Sequence, residues 1–219
     1  MKDIKGIRGE YYIAALIAEG EHERQDFKFA IPDSRKIARS LSAFANHSGG
    51  RLLIGVRDNG SIAGIRSEEE IYMVEQAADL YCDPPQKLRI DAFKVEDGKL
   101  VVRVEIDQSH DRPVFVKEAD GEMKAYYRVA DENILAPDLM VRAWQRSATG
   151  SGGFPLDTLS GCLLDLASAE GGTDVEALMV AAHVSRARAE ELIVSLAAAG
   201  VIKFIHSHSG FKLILAEDS

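Results

Sequence analysis

Residues 21–28 read E-H-E-R-Q-D-F-K, residues 43–50 A-F-A-N-H-S-G-G, residues 51–56 R-L-L-I-G-V and residues 57–64 R-D-N-G-S-I-A-G. The fold turns on this order. Phe27–Ile31 is a short apolar stretch that reads as a strand. Pro32-Asp33-Ser34 opens a helix, with Asp33 or Ser34 as its cap. Ile37, Leu41 and Phe44 recur at i, i+4 and i+7 and face the core, while Arg35, Lys36 and Arg39 fall mostly on the other side. Asn46 through Gly50 tolerate positive φ and end the helix. Arg51–Val56 is too short and apolar for a separate helix and reads as a second strand. Asp58-Asn59-Gly60 signals a hairpin, because Asn-Gly accepts the positive φ angles of a type I′ turn.

Working outward, residues 1–20 carry a helical pattern with Ile13, Leu16 and Ile17 on one face and Gly20 to close it. Ser67-x-x-Glu70 is a capping box for a helix holding Ile71, Val74, Ala78 and Tyr81, stopped by Pro84-Pro85. Leu88–Val95 and Leu100–Ile106 flank Glu96-Asp97-Gly98-Lys99 as a hairpin, and Pro113–Lys117 and Lys124–Val129 flank Asp120-Gly121 in the same way. Strands that meet mostly through short turns favour an α+β class over a doubly wound sheet. Residues 1–146 are expected to form this domain. Residues 147–154, S-A-T-G-S-G-G-F, read as a linker. Residues 155–219 carry three helical patterns, the second capped by Thr173 and the third by Ser185, followed by a hairpin around His206-Ser207-His208-Ser209-Gly210. Helix, helix, helix, hairpin is the order of a winged helix-turn-helix.

The 219 residues carry a net charge of −9 and are 46% hydrophobic, enough for an ordinary packed core. That charge argues against broad, non-specific phosphate binding and demands a local basic face instead. No apolar run approaches the roughly 18 residues of a membrane span. The N-terminus lacks the apolar centre of a signal peptide. Cys82 and Cys162 form no C-x-x-C pair and read as two reduced thiols of a cytoplasmic protein. No P-loop or Rossmann fingerprint occurs, so Gly49-Gly50 reads as a helix end and a tight turn into a strand.

Two sets of residues carry candidate chemistry. Glu21, Glu23 and Asp26 precede Lys28, and Asp58 follows the second strand. If the two strands are neighbours, Asp58 can approach Asp26, and clustered carboxylates can hold Mg²⁺ or Mn²⁺, activate water and steady a phosphate that Lys28 helps neutralise. The plainer alternative is a solvated acidic surface and a turn. The second set is basic: Arg35, Lys36, Arg39, Arg51 and Arg57, with Arg128 in a late strand. On one face they can contact several phosphates. In the C-terminal part, Arg186 and Arg188 open the third helix, where a recognition helix reads base edges. Only Lys203 and Lys212 join them as bases after residue 147, against nine acidic residues. Leu192, Ile193 and Leu196 of that helix need burial, and a homodimer is one way to supply it.

The segment resembles the Schlafen/AlbA_2 family at Glu21, Asp26, Phe27, Lys28, Ala43-Phe44-Ala45-Asn46, Gly49-Gly50, Ile54-Gly55-Val56, Asp58, Gly60 and Ile62-x-Gly64. Arg112-Pro113-Val114 and Tyr127-Arg128-Val129 extend the resemblance over roughly residues 8–137. It implies an AlbA_2-like mixed helix and sheet domain that binds nucleic acid, DNA or RNA, with transcriptional regulation as the leading role. Some Schlafen members are metal-dependent endoribonucleases with a carboxylate trio. The matching positions are Glu21, Asp26 and Asp58, with Lys28 beside them and Mg²⁺ or Mn²⁺ as the implied ion. Here Asp26 stands where the commoner family pattern has glutamate, a side chain one methylene longer. A third expectation, from a different class, is a non-enzymatic dimerisation or assembly module.

Overall fold

A computed structural model describes residues 6–150, 157–208 and 210–216 of the chain. These fall into two compact units that divide between Leu135 and Ala136.

The first unit is built around a five-stranded sheet. Its strands are β1 (Ile7–Arg8), β2 (Gln25–Lys28), β3 (Gly50–Ile54), β5 (Arg89–Lys94) and β6 (Leu100–Ile106), with β4 (Cys82–Asp83) belonging to a second sheet. The spatial order is β1-β5-β6-β3-β2. β2 runs parallel to β3, with Asp26 opposite Leu52 and Lys28 opposite Ile54. β3 and β5 flank β6 antiparallel. The link between β2 and β3 is helix α2 (Ser34–Asn46), a parallel crossover; β1 also runs parallel to β5, and β5 and β6 form a hairpin. Helix α1 (Glu10–Ala18) covers the opposite face. There Ile13 and Leu16 pack on Phe27, Leu53, Phe93 and Val101. Helix α3 (Glu69–Gln76) continues into a π-helical turn, Ala77–Tyr81, that leads to β4.

The second sheet holds β4 with β7 (Phe115–Lys117), β8 (Met123–Val129) and β9 (Glu132–Leu135), all antiparallel. Helix α2 lies between the two sheets, which is why so few of its residues reach solvent. Its apolar positions Ile37, Leu41 and Phe44 join Leu52, Ile54, Val102 and Val104 in the main core. Its polar positions bind the second sheet. Asn46, fully buried, donates from Nδ2 to the carbonyls of Val114 and Tyr126, both at 2.9 Å, and accepts from the Val114 amide at 2.7 Å. Ser42 donates to the Val114 carbonyl at 2.7 Å. These buried groups meet their hydrogen-bonding needs in the backbone of β8 and of the residue that precedes β7.

Both central hairpins, β5–β6 and β7–β8, lie where their periodicity places them. The turn after β3 differs from its sequence reading. Gly60 has φ 78° while Asn59 is not among the residues of positive φ, so this is not a type I′ turn. The Gly60 amide closes on the Arg57 carbonyl at 2.7 Å, and the Arg57 amide bonds the Ser61 carbonyl at 3.0 Å. Gly55 is required for a different reason: its φ is 93°, and a Cβ there would stand 2.8 Å from the Gly64 backbone.

The second unit contains α4 (Asp138–Ala148), α5 (Thr158–Ser168), α6 (Val175–Ala182), α7 (Arg186–Ala198) and an antiparallel pair, β10 (Ile202–Ser207) and β11 (Gly210–Leu215). Helix α4 packs on α7 in this unit, through ion pairs of Arg142 with Glu190 and of Arg146 with Glu191. The boundary therefore lies upstream of the expected linker. Ser147 and Ala148 complete α4, and residues 151–154 lie outside the described residues. Asp174, not Thr173, caps α6, accepting from the Ala177 amide at 2.9 Å. Thr173 instead bridges to Leu213 of β11. Ser185 caps α7 as its sequence suggests. Leu192, Ile193 and Leu196 are buried against Leu163, Leu178, Ile202 and Leu213 of the same unit. The apolar surface that argued for a second copy of the chain is thus covered internally. No helix among the described residues is long and apolar enough to cross a membrane.

Candidate nucleic-acid interface

Alternation along β2 sends Phe27 to the α1 side and turns Asp26 toward the α2 side. The Asp26 carboxylate is buried, with the Lys28 ammonium 2.7 Å and the Arg128 guanidinium 3.7 Å from Oδ2. Neither contact is a hydrogen bond to that oxygen: the ammonium lacks the angle and the guanidinium stands too far off. Arg128 comes from β8 and donates to Asn133 at 2.9 Å and to the carbonyls of His22 and Gln25 at 3.3 and 3.2 Å. It lies 4.9 Å over the Phe44 ring. Burial lowers its pKa, and the charges of Asp26, Asp131 and Glu21 act against that.

Glu21 accepts the Phe27 amide at 2.8 Å and lies against Asp26. Burial first, then the hydrogen bond with the Asp26 side chain, pushes the Glu21 carboxyl up to about 7, with the Phe27 amide and Lys28 opposing.

Asp58 does not complete a trio. Because β2 and β3 are parallel, it lies four residues past Ile54, on an exposed turn beyond the strand opposite Asp26. Among the described residues no three His, Cys, Asp or Glu side chains are grouped to hold a metal ion. The donor set does not fit Mg²⁺ or Mn²⁺ either. An ammonium already stands at Oδ2 of Asp26, and a buried guanidinium stands behind it.

The expected basic residues separate into two groups. Arg128 is fully buried and out of reach of any ligand. Arg39 forms a two-pronged pair with Glu118 at 2.8 and 2.6 Å. Arg51 donates to Gln25 at 2.6 Å and pairs with Glu19. In the second unit Arg186 pairs with Glu176 and Glu190, and Arg188 with Asp157 at 3.6 Å. Each of these charges is largely neutralised where it stands.

The other group is different. Arg35 lies 4.7 Å over the Tyr81 ring, and Lys36 is exposed on the same first turn of α2. Arg57 and Arg66 lie 4.6 and 5.1 Å from the centroid of Phe29. Among the described residues none of these four is within ion-pair distance of a carboxylate. They gather where β2 and β3 end and α2 begins, the end of a parallel pair at which open sheets bind ligands. Arg66 was not singled out in the sequence. Its signal was Ile62-x-Gly64, whose close approach to Gly55 returns the chain to Phe29. The amides of Ala63 and Gly64 bond the Gly55 carbonyl at 2.8 and 2.9 Å.

A search of curated proteins finds no match. Among solved structures, the DIP2311 protein from Corynebacterium diphtheriae is 18% identical with a TM-score of 0.46, over 92% of this chain and 38% of that one. This chain therefore spans little more than a third of that protein's length. The N-terminal domain of an ATP-dependent DNA helicase RecG-related protein from Nitrosomonas europaea is 19% identical with a TM-score of 0.43, over 60% of this chain and 97% of that one. Both scores are too low to carry fold or function across. The family model described as Schlafen, AlbA_2 matches residues 21–137, more than half of the chain. That span takes in both sheets except β1, and the chain belongs to the Schlafen AlbA_2 family.

Proposed function

We propose that this chain binds nucleic acid through the first unit, at the end of the β2–α2–β3 crossover. The observation that carries this is the set Arg35, Lys36, Arg57 and Arg66, four cations at one end of the sheet with no carboxylate partner among the described residues. In a chain of net charge −9, phosphate affinity must come from such a local excess. Family membership supports the same reading. We read the second unit as a winged helix with a regulatory role. Its first-turn arginines are held by Glu176, Glu190 and Asp157, so the first unit supplies most of the affinity.

The test is fluorescence anisotropy with a labelled oligonucleotide across a salt series. Arg35→Ala with Lys36→Ala is expected to weaken binding and to lower the salt slope by about 1 for each phosphate the variant no longer neutralises. Arg39→Ala is expected to leave affinity per folded molecule unchanged, because its charge serves Glu118, while costing about 1–2 kcal/mol of stability. Equal affinity and slope in the wild type and the Arg35/Lys36 variant would remove this face.

A further inference from the structure

We infer that the Phe29–Arg57–Arg66 cluster receives an unpaired base, so that the nucleic acid bound at this end of the sheet is single-stranded there. This rests on the nucleic-acid reading above and specifies its ligand.

Phe29 is the first residue after β2, and the residue remains 37% exposed. Two guanidiniums lie over that ring, yet among the described residues neither has a carboxylate to hold it there. Arg57 makes one long contact, from Nη1 to the Ser61 hydroxyl at 3.4 Å. The backbones that carry them are well anchored. Lys28 accepts the Gly55 amide at 2.8 Å, Gly55 accepts the Ala63 and Gly64 amides, and Ile65 bonds the Leu100 carbonyl at 2.8 Å. The result is a fixed pair of turns presenting a partly open stack of π-faced groups in solvent.

An ordinary surface explanation, arginine stems shading an apolar ring, accounts for one such residue. Two unneutralised guanidiniums on one exposed ring repel each other, and an anion relieves that repulsion. A phosphate alone would ask only for charge, and lysine would serve. Planar groups over an aromatic ring suit a nucleobase, which can lie on a guanidinium or on the ring while its own phosphate meets the charge. A base inside a duplex is already stacked on both faces and cannot enter, whereas an unpaired base can. Arg35 and Lys36, at the start of the helix that follows Phe29, are placed for neighbouring phosphates.

The experiment uses the full chain with single-stranded DNA and RNA of about 12 nucleotides and blunt duplexes of the same length. Single strands are expected to bind about tenfold more tightly than duplex at equal salt. Phe29→Leu, and Arg57→Lys with Arg66→Lys, are each expected to lower single-strand affinity about tenfold. Duplex affinity and the salt slope should stay unchanged, since neither variant alters the charge. Phe29→Trp should keep or raise the affinity, which tests stacking even if Phe29→Leu folds poorly. Quenching of 2-aminopurine placed in the single strand should accompany binding and fall in the Arg→Lys variant. Equal affinity for duplex and single strand, or wild-type affinity in the double lysine variant, would overturn the base-stacking inference while leaving nucleic-acid binding intact. Failure of the wild type to bind any of these probes would overturn the function and the inference together.

Discussion

Asp26 is bounded by the Lys28 ammonium, the Arg128 guanidinium and the Glu21 carboxyl, and the surroundings of this one residue alter what its motif can do. The sequence places Glu21, Asp26 and Lys28 in order, and the structure brings those three together. It could not place Arg128, which arrives from a strand about a hundred positions on. Parity along that strand shows which residues share a face, but not that α2 and β2 cover the face. Arg128 therefore read as a surface base and proved to be a core charge. Asp58 failed for a related reason: adjacency of two strands does not bring a residue beyond the end of one to the middle of the other. The Glu21–Asp26 pair has a measurable signature. The Glu21 carboxyl has its pKa raised in the fold, from the ordinary carboxylate range to about 7. The folded state thus binds more protons than the unfolded state between those values, and its stability falls as pH rises through that window. Thermal unfolding is expected to drop by about 2–4 °C between pH 5 and pH 8 on this account. Glu21→Gln, which mimics the neutral form, should flatten the profile; an equal drop in the variant would assign it to other groups.

Among the elements, the β2–α2–β3 crossover was readable and the layer behind it was not. A strand, a capped helix, a glycine turn and a second strand follow directly from periodicity and turn chemistry. The second sheet's grip on α2 depends on Ser42, Asn46 and Arg39 finding particular partners, and a polar residue on a helix looks the same in sequence whether it meets water or a buried carbonyl. Helix α4 went unread as part of the second unit, though Leu139, Met140 and Ala143 already trace an apolar face; its partner, α7, lies far along the chain. Arg128 joins β8 to β2 and offers a test of this layering. Arg128→Met keeps much of the volume but leaves Asp26 with one cation fewer and removes one of the donors to the carbonyls of His22 and Gln25. Breaking a buried pair in this way costs about 3–5 kcal/mol. Chemical denaturation should show it as a lower midpoint at unchanged slope. A variant as stable as the wild type would show that the buried pair does not hold the sheets.

At the scale of the whole molecule, charge is the deciding quantity. An acidic chain has few routes to nucleic acid, and here most arginines are matched with carboxylates: Arg39 with Glu118, Arg89 with Asp107, Arg103 with Asp91, Arg142 with Glu190, Arg186 with Glu176. Arg35, Lys36, Arg57 and Arg66 stay unmatched among the described residues and lie at one end of the crossover, which composition could not reveal. The most direct measurement is the salt dependence of single-strand binding by the wild type and by Arg57→Ala with Arg66→Ala. The variant is expected to bind more weakly at every salt concentration, with a slope of log affinity against log salt smaller by about 1.4, the single-strand value for two phosphates left without a cation. The same affinity and the same slope in both proteins would contradict the account.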